Sequence, residues 1–298
     1  MRDKRKKFIE SDYERLHTRV LEADIDEAEI NQIIDVRTKC SYVTKTIDSG
    51  FIREIETYPM YLRSEMPKEW KIKKNKETQR NLNNKNAQKN FIRKINTNFN
   101  DGDFFITFTY SDKNLPKDHK QAKKDMQNFI RRIKRLIIKK KLDVELKYIY
   151  VTEHSEGTKG IRCHHHMIMN SILTMEEVEK AWKLGRRNNI RKLDTDELWL
   201  TGLATYLSKD PKGKKRWCSS KNLKEPHITR NHSKFSKKKI NNMVRFRDLV
   251  KEEMEKTNPG YVFIDHDIYL NEHNGKPYIY ARMRKYKEWG DRFGKSKT

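Results

Sequence analysis

Residues 146–169 read LKYIYVTEHSEGTKGIRCHHHMIM. Two short runs of aromatic and β-branched residues, LKYIYVTEH and CHHHMIM, flank SEGTKGIR, whose glycines and polar residues mark a turn, so the stretch predicts two strands joined as a hairpin. Side chains alternate across a strand, which sends His164 and His166 to one face. Two imidazoles then converge on one point, with the solvent side left open. A lone His-x-His is more often a polar strand face, but three adjacent histidines inside an apolar strand favour a chelating pair. A third ligand comes from Glu153 or from His154, at the end of the neighbouring strand; alternation permits only one of them to face the ion. Imidazole plus carboxylate suits Mg²⁺ or Mn²⁺.

Outward from this hairpin, FFITFTY (104–110) reads as a buried strand after the break Asp101-Gly102-Asp103. Met126, Phe129, Ile130, Ile133, Leu136 and Ile137 fall at helical spacing, with Lys123, Arg131, Arg132, Lys134 and Arg135 off that stripe, which predicts an amphipathic helix with a basic outer surface from about 121 to 141. Thr174 followed by Glu177 forms a capping-box pattern that starts another helix. A short strand is expected over Ile190–Leu193. TGLATYLSKDP (201–211) reads as a short helix stopped by Pro211. YVFIDHDIYL and KPYIYARM, separated by NEHNG, have the alternation and turn of a second hairpin. This order of elements predicts an α+β fold on a mostly antiparallel sheet.

On either side the signal thins. Residues 1 to about 70 carry Leu16, Val20, Leu21, Ile30, Ile33 and Ile34 at helical spacing and read as an accessory helical region. Residues 69–100 are basic and rich in Asn and Gln, either a solvated helix or an arm that tracks phosphates. Residues 212–243 read as basic and irregular. The expected organisation is a helical, basic accessory region over 1–98, a catalytic domain over 99–285, and a basic tail over 286–298.

The chain holds 67 Lys and Arg against 42 Asp and Glu, a formal charge of +25, which suits a polyanionic partner and makes nucleic acid the expected one over an anionic membrane surface. Cys40, Cys163 and Cys218 are too few and too scattered for a disulfide framework or a cysteine metal knuckle. A reducing, cytoplasmic location is expected. MRDKRKKFIESDYE has no apolar run behind its basic residues and no stretch of eighteen apolar residues occurs, so neither secretion nor a membrane span is predicted.

Tyr206 and Lys209 lie three apart in TYLSK and share one side of a helix. Alone, that spacing is ordinary helix surface. In company, FFITFTYSD, YIYVTEHSEGTKGIRCHHHMIM and TYLSK resemble, in order and spacing, the three motifs of HUH endonucleases, especially rolling-circle replication initiators (Rep proteins) of small phages and plasmids. RWCSSKNLKEP (216–226) is similar to the segment after their tyrosine helix, and the resemblance covers about residues 90–285. It implies an RRM-like antiparallel sheet with helices packed on it and the histidines on a central strand. It further implies His164, His166 and Glu153 as metal ligands, Tyr206 as nucleophile and Lys209 as its partner.

The implied activity is nicking of single-stranded DNA at an origin, leaving a 5′-phosphotyrosine and a free 3′-hydroxyl primer. His165 departs from the motif, which has a bulky hydrophobic residue there, and points to a separate role for that imidazole. With one tyrosine, closing the new strand would take a second protomer or an activated water. GDRFGKS (290–296) is one residue short of a nucleotide-binding Gly-x4-Gly-Lys-Ser/Thr loop, so unwinding and synthesis are expected to fall to a host helicase and polymerase. An HUH transposase or relaxase would share these residues. A non-catalytic nucleic-acid-binding regulator, or a zinc-stabilised domain using Cys163, are the readings from other classes.

Overall fold

The computed structural model describes residues 8–9, 17–19, 40–62, 76–154, 162–208, 217–271 and 275–286. In chain order the first elements are β1 (Phe8–Ile9), β2 (His17–Arg19), β3 (Cys40–Ser49), β4 (Ile52–Leu62), α1 (Lys76–Asn98), β5 (Phe104–Thr109) and α2 (His119–Lys139). Next come β6 (Tyr148–Glu153), β7 (His164–Met169), α3 (Met175–Ala181), β8 (Asn189–Lys192), α4 (Thr201–Leu207) and β9 (Cys218–Ser219). The last are β10 (His227–Asn231), α5 (Lys237–Arg245), α6 (Asp248–Thr257), β11 (Tyr261–Asn271) and β12 (Pro277–Lys285). The fold is α+β with two antiparallel sheets, as expected for the class. Two compact units divide the chain: Met1–Lys76 with Pro226–Thr298, and Glu77–Glu225.

The unit formed by Glu77–Glu225 is built on a five-stranded sheet in the order β8-β5-β7-β6-β9, so the triple-histidine strand is central. One face is covered by α2 and α3. Met126, Phe129, Ile133 and Ile137 of α2 and Val178 of α3 pack with Phe104, Ile106 and Phe108 of β5 and Met167 and Met169 of β7 in one apolar cluster. Helix α2 forms where its stripe predicts: Asp118 caps its N-terminus by accepting from Gln121 N at 2.7 Å. Beyond its C-cap, Lys141 takes a φ of +58°. The capping box on α3 is present, Thr174 Oγ1 accepting from Glu177 N and Glu177 Oε2 from Thr174 N. On the opposite face of the sheet Phe105, Ile149 and Ile168 are also buried, which explains why FFITFT reads as continuously apolar rather than alternating.

The other unit carries a seven-stranded sheet in the order β10-β3-β4-β12-β11-β2, with β1 paired to β4. Ile240, Met243 and Val244 of α5 and Val250 and Met254 of α6 pack on Ile55, Ile268, Ile279, Ala281 and Met283. The expected hairpin of β11 and β12 forms, with Ile268 opposite Ile279.

Two sequence readings need correction. Residues 40–62, taken into the helical accessory region, are a hairpin of β3 and β4 turned at Gly50, φ +65°. Val43, Thr44, Thr46 and Ile47 supply the β-branched content that fits a pleated surface, and burial on the sheet overrides the helical spacing read upstream of it. Leu16, Val20, Leu21, Ile30, Ile33 and Ile34 themselves lie outside the described residues, as do Arg63–Asn75 and Lys287–Thr298. Within 212–243, read as irregular, β9, β10 and most of α5 form. The Ser236 side chain caps α5, and its apolar residues Ile240, Met243 and Val244 appear only after three lysines, so the pattern is short and late. The 69–100 segment contains a helix, α1, whose last turns bury Phe91 and Ile95. Among the described residues, no helix is long and apolar enough to cross a membrane.

Candidate metal centre

Register builds this site. Antiparallel pairing sets Glu153 of β6 directly opposite His164 of β7, while Thr107 and Thr109 of β5 stand opposite His166 and His164. Residues directly opposite one another project to the same face, so Glu153, His164, His166 and Thr107 share the side of the sheet away from α2 and α3.

There, one ligand atom each from Glu153, His164 and His166 lie within 4.8 Å of one another. His164 Nε2 and His166 Nε2 are 3.2 Å apart, and Glu153 oxygens lie 3.4 Å from the first and 3.8 Å from the second. Each ring is oriented through its other nitrogen. His164 Nδ1 lies 2.9 Å from the carbonyl of Arg162, which can only accept, so the proton sits on Nδ1 and the Nε2 lone pair points into the site. His166 Nδ1 bonds the Thr107 hydroxyl at 3.0 Å. Burial first, then the neighbouring His164, lowers the pKa of His166 against the opposing pull of Glu153, which favours the neutral imidazole a metal requires. Two nitrogens and a carboxylate at these separations need a shared proton or cation between them, and a hard or borderline divalent ion fits the donor set. The site contains no thiolate.

Of the two candidates for third ligand, Glu153 joins the histidines and His154 does not. Neither ring nitrogen of His154 has a hydrogen-bond partner among the described residues.

Helix α4 places Tyr206 beside the triad. The Tyr206 ring stands edge-on to His166, centroids 5.9 Å apart, while the tyrosine remains 47% exposed. The opposite side of α4, Ala204 and Leu207, is buried. The helix is fixed at both ends to α1, through Asn96 Nδ2 donating to Thr201 Oγ1 and Gln88 Nε2 donating to Ser208 Oγ, each at 2.9 Å. Just before it, buried Trp199 adopts φ +61°, a costly conformation for a bulky residue, and donates from Nε1 to Phe99 O. Lys209 lies outside the described residues.

His165 points the other way and is fully buried. Its Nε2 meets the Tyr110 hydroxyl at 2.8 Å and its Nδ1 meets Thr152 Oγ1 at 2.9 Å. Tyr110 continues the chain to Asp125, which also accepts from Gln121 Nε2 at 2.8 Å. Burial, with smaller contributions from the nearby histidines, brings the pKa of His165 down to about 3, so it is a neutral core group.

Sequence reasoning missed Thr107, Arg162 and Phe105, whose ring stacks on His166 at 5.7 Å. The signal was there in FFITFTY, where Phe105, Thr107 and Thr109 alternate onto one face, but it becomes legible only with the β5–β7 register.

A central antiparallel strand bearing an imidazole pair, a carboxylate across from it and a tyrosine helix alongside define a candidate metal-centre domain of α+β class. Residues 103–211 match the family described as replication-associated protein ORF2, a span that holds the triad, Tyr206 and Lys209. This part of the chain is therefore similar to replication-associated proteins. No curated protein and no solved structure matches the chain.

Proposed function

We propose that the chain is a replication initiator of HUH type that nicks one strand of DNA, with Tyr206 as nucleophile. The observation that carries this reading is the Tyr206 ring edge-on to His166, next to three converging metal-ligand groups. Glu153, His164 and His166 would hold Mg²⁺ or Mn²⁺, and the bound ion supplies positive charge that polarises the phosphate and favours the phenolate.

The Tyr206 phenol oxygen attacks the phosphorus and loses its proton to solvent. The bond from phosphorus to the 3′ oxygen breaks. That oxygen takes up a proton and leaves as a 3′-hydroxyl, while the 5′ phosphate stays esterified to the tyrosine. Arg162 and Thr107 keep the two imidazoles turned toward the site, and burial of Ala204 and Leu207 keeps Tyr206 facing it. Lys209, three residues on, is proposed as a cation for the developing phosphate charge. The freed 3′-hydroxyl then primes synthesis by host polymerase, with unwinding by a host helicase.

The test is incubation of wild type and Tyr206→Phe with circular single-stranded DNA and Mn²⁺. A denaturation-resistant adduct made by wild type alone, and abolished by EDTA, is expected. DNA binding without any adduct on a broad sequence pool would leave a non-catalytic binding protein instead.

A further inference from the structure

On the α2 side of the same unit, an open groove of about 980 Å³ runs along the segment that follows β5 and the first half of α2. Six exposed cations line it: Lys113, Lys117, Lys120, Lys123, Lys124 and Arg131. None of them pairs with a carboxylate among the described residues. The two acidic residues in its wall are already engaged, Asp118 as the α2 cap and Asp125 in the buried bonds from Gln121 and Tyr110. Six unpaired cations with no compensating anion are held against mutual repulsion for a polyanion. The lining is not wholly ionic, since Leu115, 42% exposed, and Leu184 also face the groove. Duplex DNA would present phosphates and stacked edges to such a surface, whereas unstacked bases of a single strand can cover exposed apolar side chains.

The groove is continuous with the site. Thr109, opposite His164 in the register, is only four residues from Lys113, at most about 14 Å of extended chain. Arg162 joins the two. Its carbonyl orients His164, and its guanidinium donates to the Tyr110 carbonyl at 2.9 Å and pairs with Asp112 at 2.7 Å, holding the start of the groove against the end of the sheet.

We infer that single-stranded DNA flanking the scissile phosphate leaves the triad over the end of β5 and lies in this groove, its phosphates on the lysines and its bases against Leu115. The inference rests on the nicking reading for the identity of the strand, but its test does not depend on cleavage.

The experiment measures binding of a labelled single-stranded oligonucleotide of about 20 nucleotides to Tyr206→Phe protein in EDTA across a salt series. It is repeated with Lys117→Ala/Lys120→Ala/Lys124→Ala and with the control Lys134→Ala/Arg135→Ala/Lys139→Ala, which removes the same charge from α2 outside the groove. Loss of three phosphate contacts is expected to reduce the slope of log affinity against log salt by about 2 in the groove variant, with little change in the control. An unchanged slope in the groove variant, equal losses in both variants, or a loss seen only with duplex of the same length would overturn the assignment. Wild type that forms no adduct while the groove variant loses slope would sink the nicking reading and keep the groove. An adduct with an unchanged slope would do the reverse.

Discussion

Replacing His165 by leucine tests whether a histidine between two metal ligands is there as a buried neutral group. In the folded chain its pKa is about 3, against an ordinary value of 6.5. Below pH 6.5 the unfolded chain takes up a proton that the folded chain refuses until pH falls to about 3. Stability is therefore lost as pH falls through this window. The full difference is worth about 5 kcal/mol, of which about 2 kcal/mol has gone by pH 5. Leucine removes that titration but leaves Thr152 Oγ1 without its imidazole partner and Tyr110 with Asp125 alone, at 3.3 Å, which costs about 1–3 kcal/mol at every pH. Urea unfolding of both proteins in EDTA from pH 8 to pH 5 reads the two effects separately. The variant should be the less stable at pH 8, and the gap should close by about 2 kcal/mol at pH 5. Carboxylates common to both proteins cancel in the comparison. Two curves that stay parallel over this range would refute the assignment of His165 as a buried neutral base.

Thr107→Val leaves His166 Nδ1 without its 3.0 Å partner and should weaken Mn²⁺ binding about 10- to 100-fold by titration calorimetry, with Thr107→Ser close to wild type; equal affinity in the valine variant would show that the hydroxyl does not orient the ring. Gly185→Ala would set a Cβ 1.9 Å from the Thr109 carbonyl oxygen, a backbone atom, so the β5 end must shift at a cost of about 1–3 kcal/mol in urea unfolding. An alanine variant as stable as wild type would mean that the segment after α3 does not press on β5.

Much of the metal-centre unit is legible because its signals are local. Strand alternation brings His164 and His166 together, one hairpin puts Glu153 across from them, and the capping box and stripe announce α3 and α2 within a few residues of sequence. The choice between Glu153 and His154 was not legible. A one-residue change of register reverses it, and register depends on pairing that the sequence does not state. Thr107 and Arg162 were hidden for the same reason, as partners supplied by a strand and a turn whose contacts with the histidines arise only in the assembled sheet. The other unit was harder still. β11 and β12 carry their own turn, but β4 pairs with β12 across most of the chain, Thr57 opposite Ile279, and nothing near either strand names the other.

That long-range pairing governs how the polypeptide acquires its structure during synthesis. The unit at Glu77–Glu225 is one uninterrupted segment and has all of its strands once that segment has emerged. The flanking sheet must wait for β12. If the inserted segment folds first, it removes about two thirds of the flexible loop that β4 and β12 must close, a saving of about 1 kcal/mol in closure entropy. The connectivity thus sets a sequence of events in which the unit bearing the histidines matures early and the divided sheet completes last.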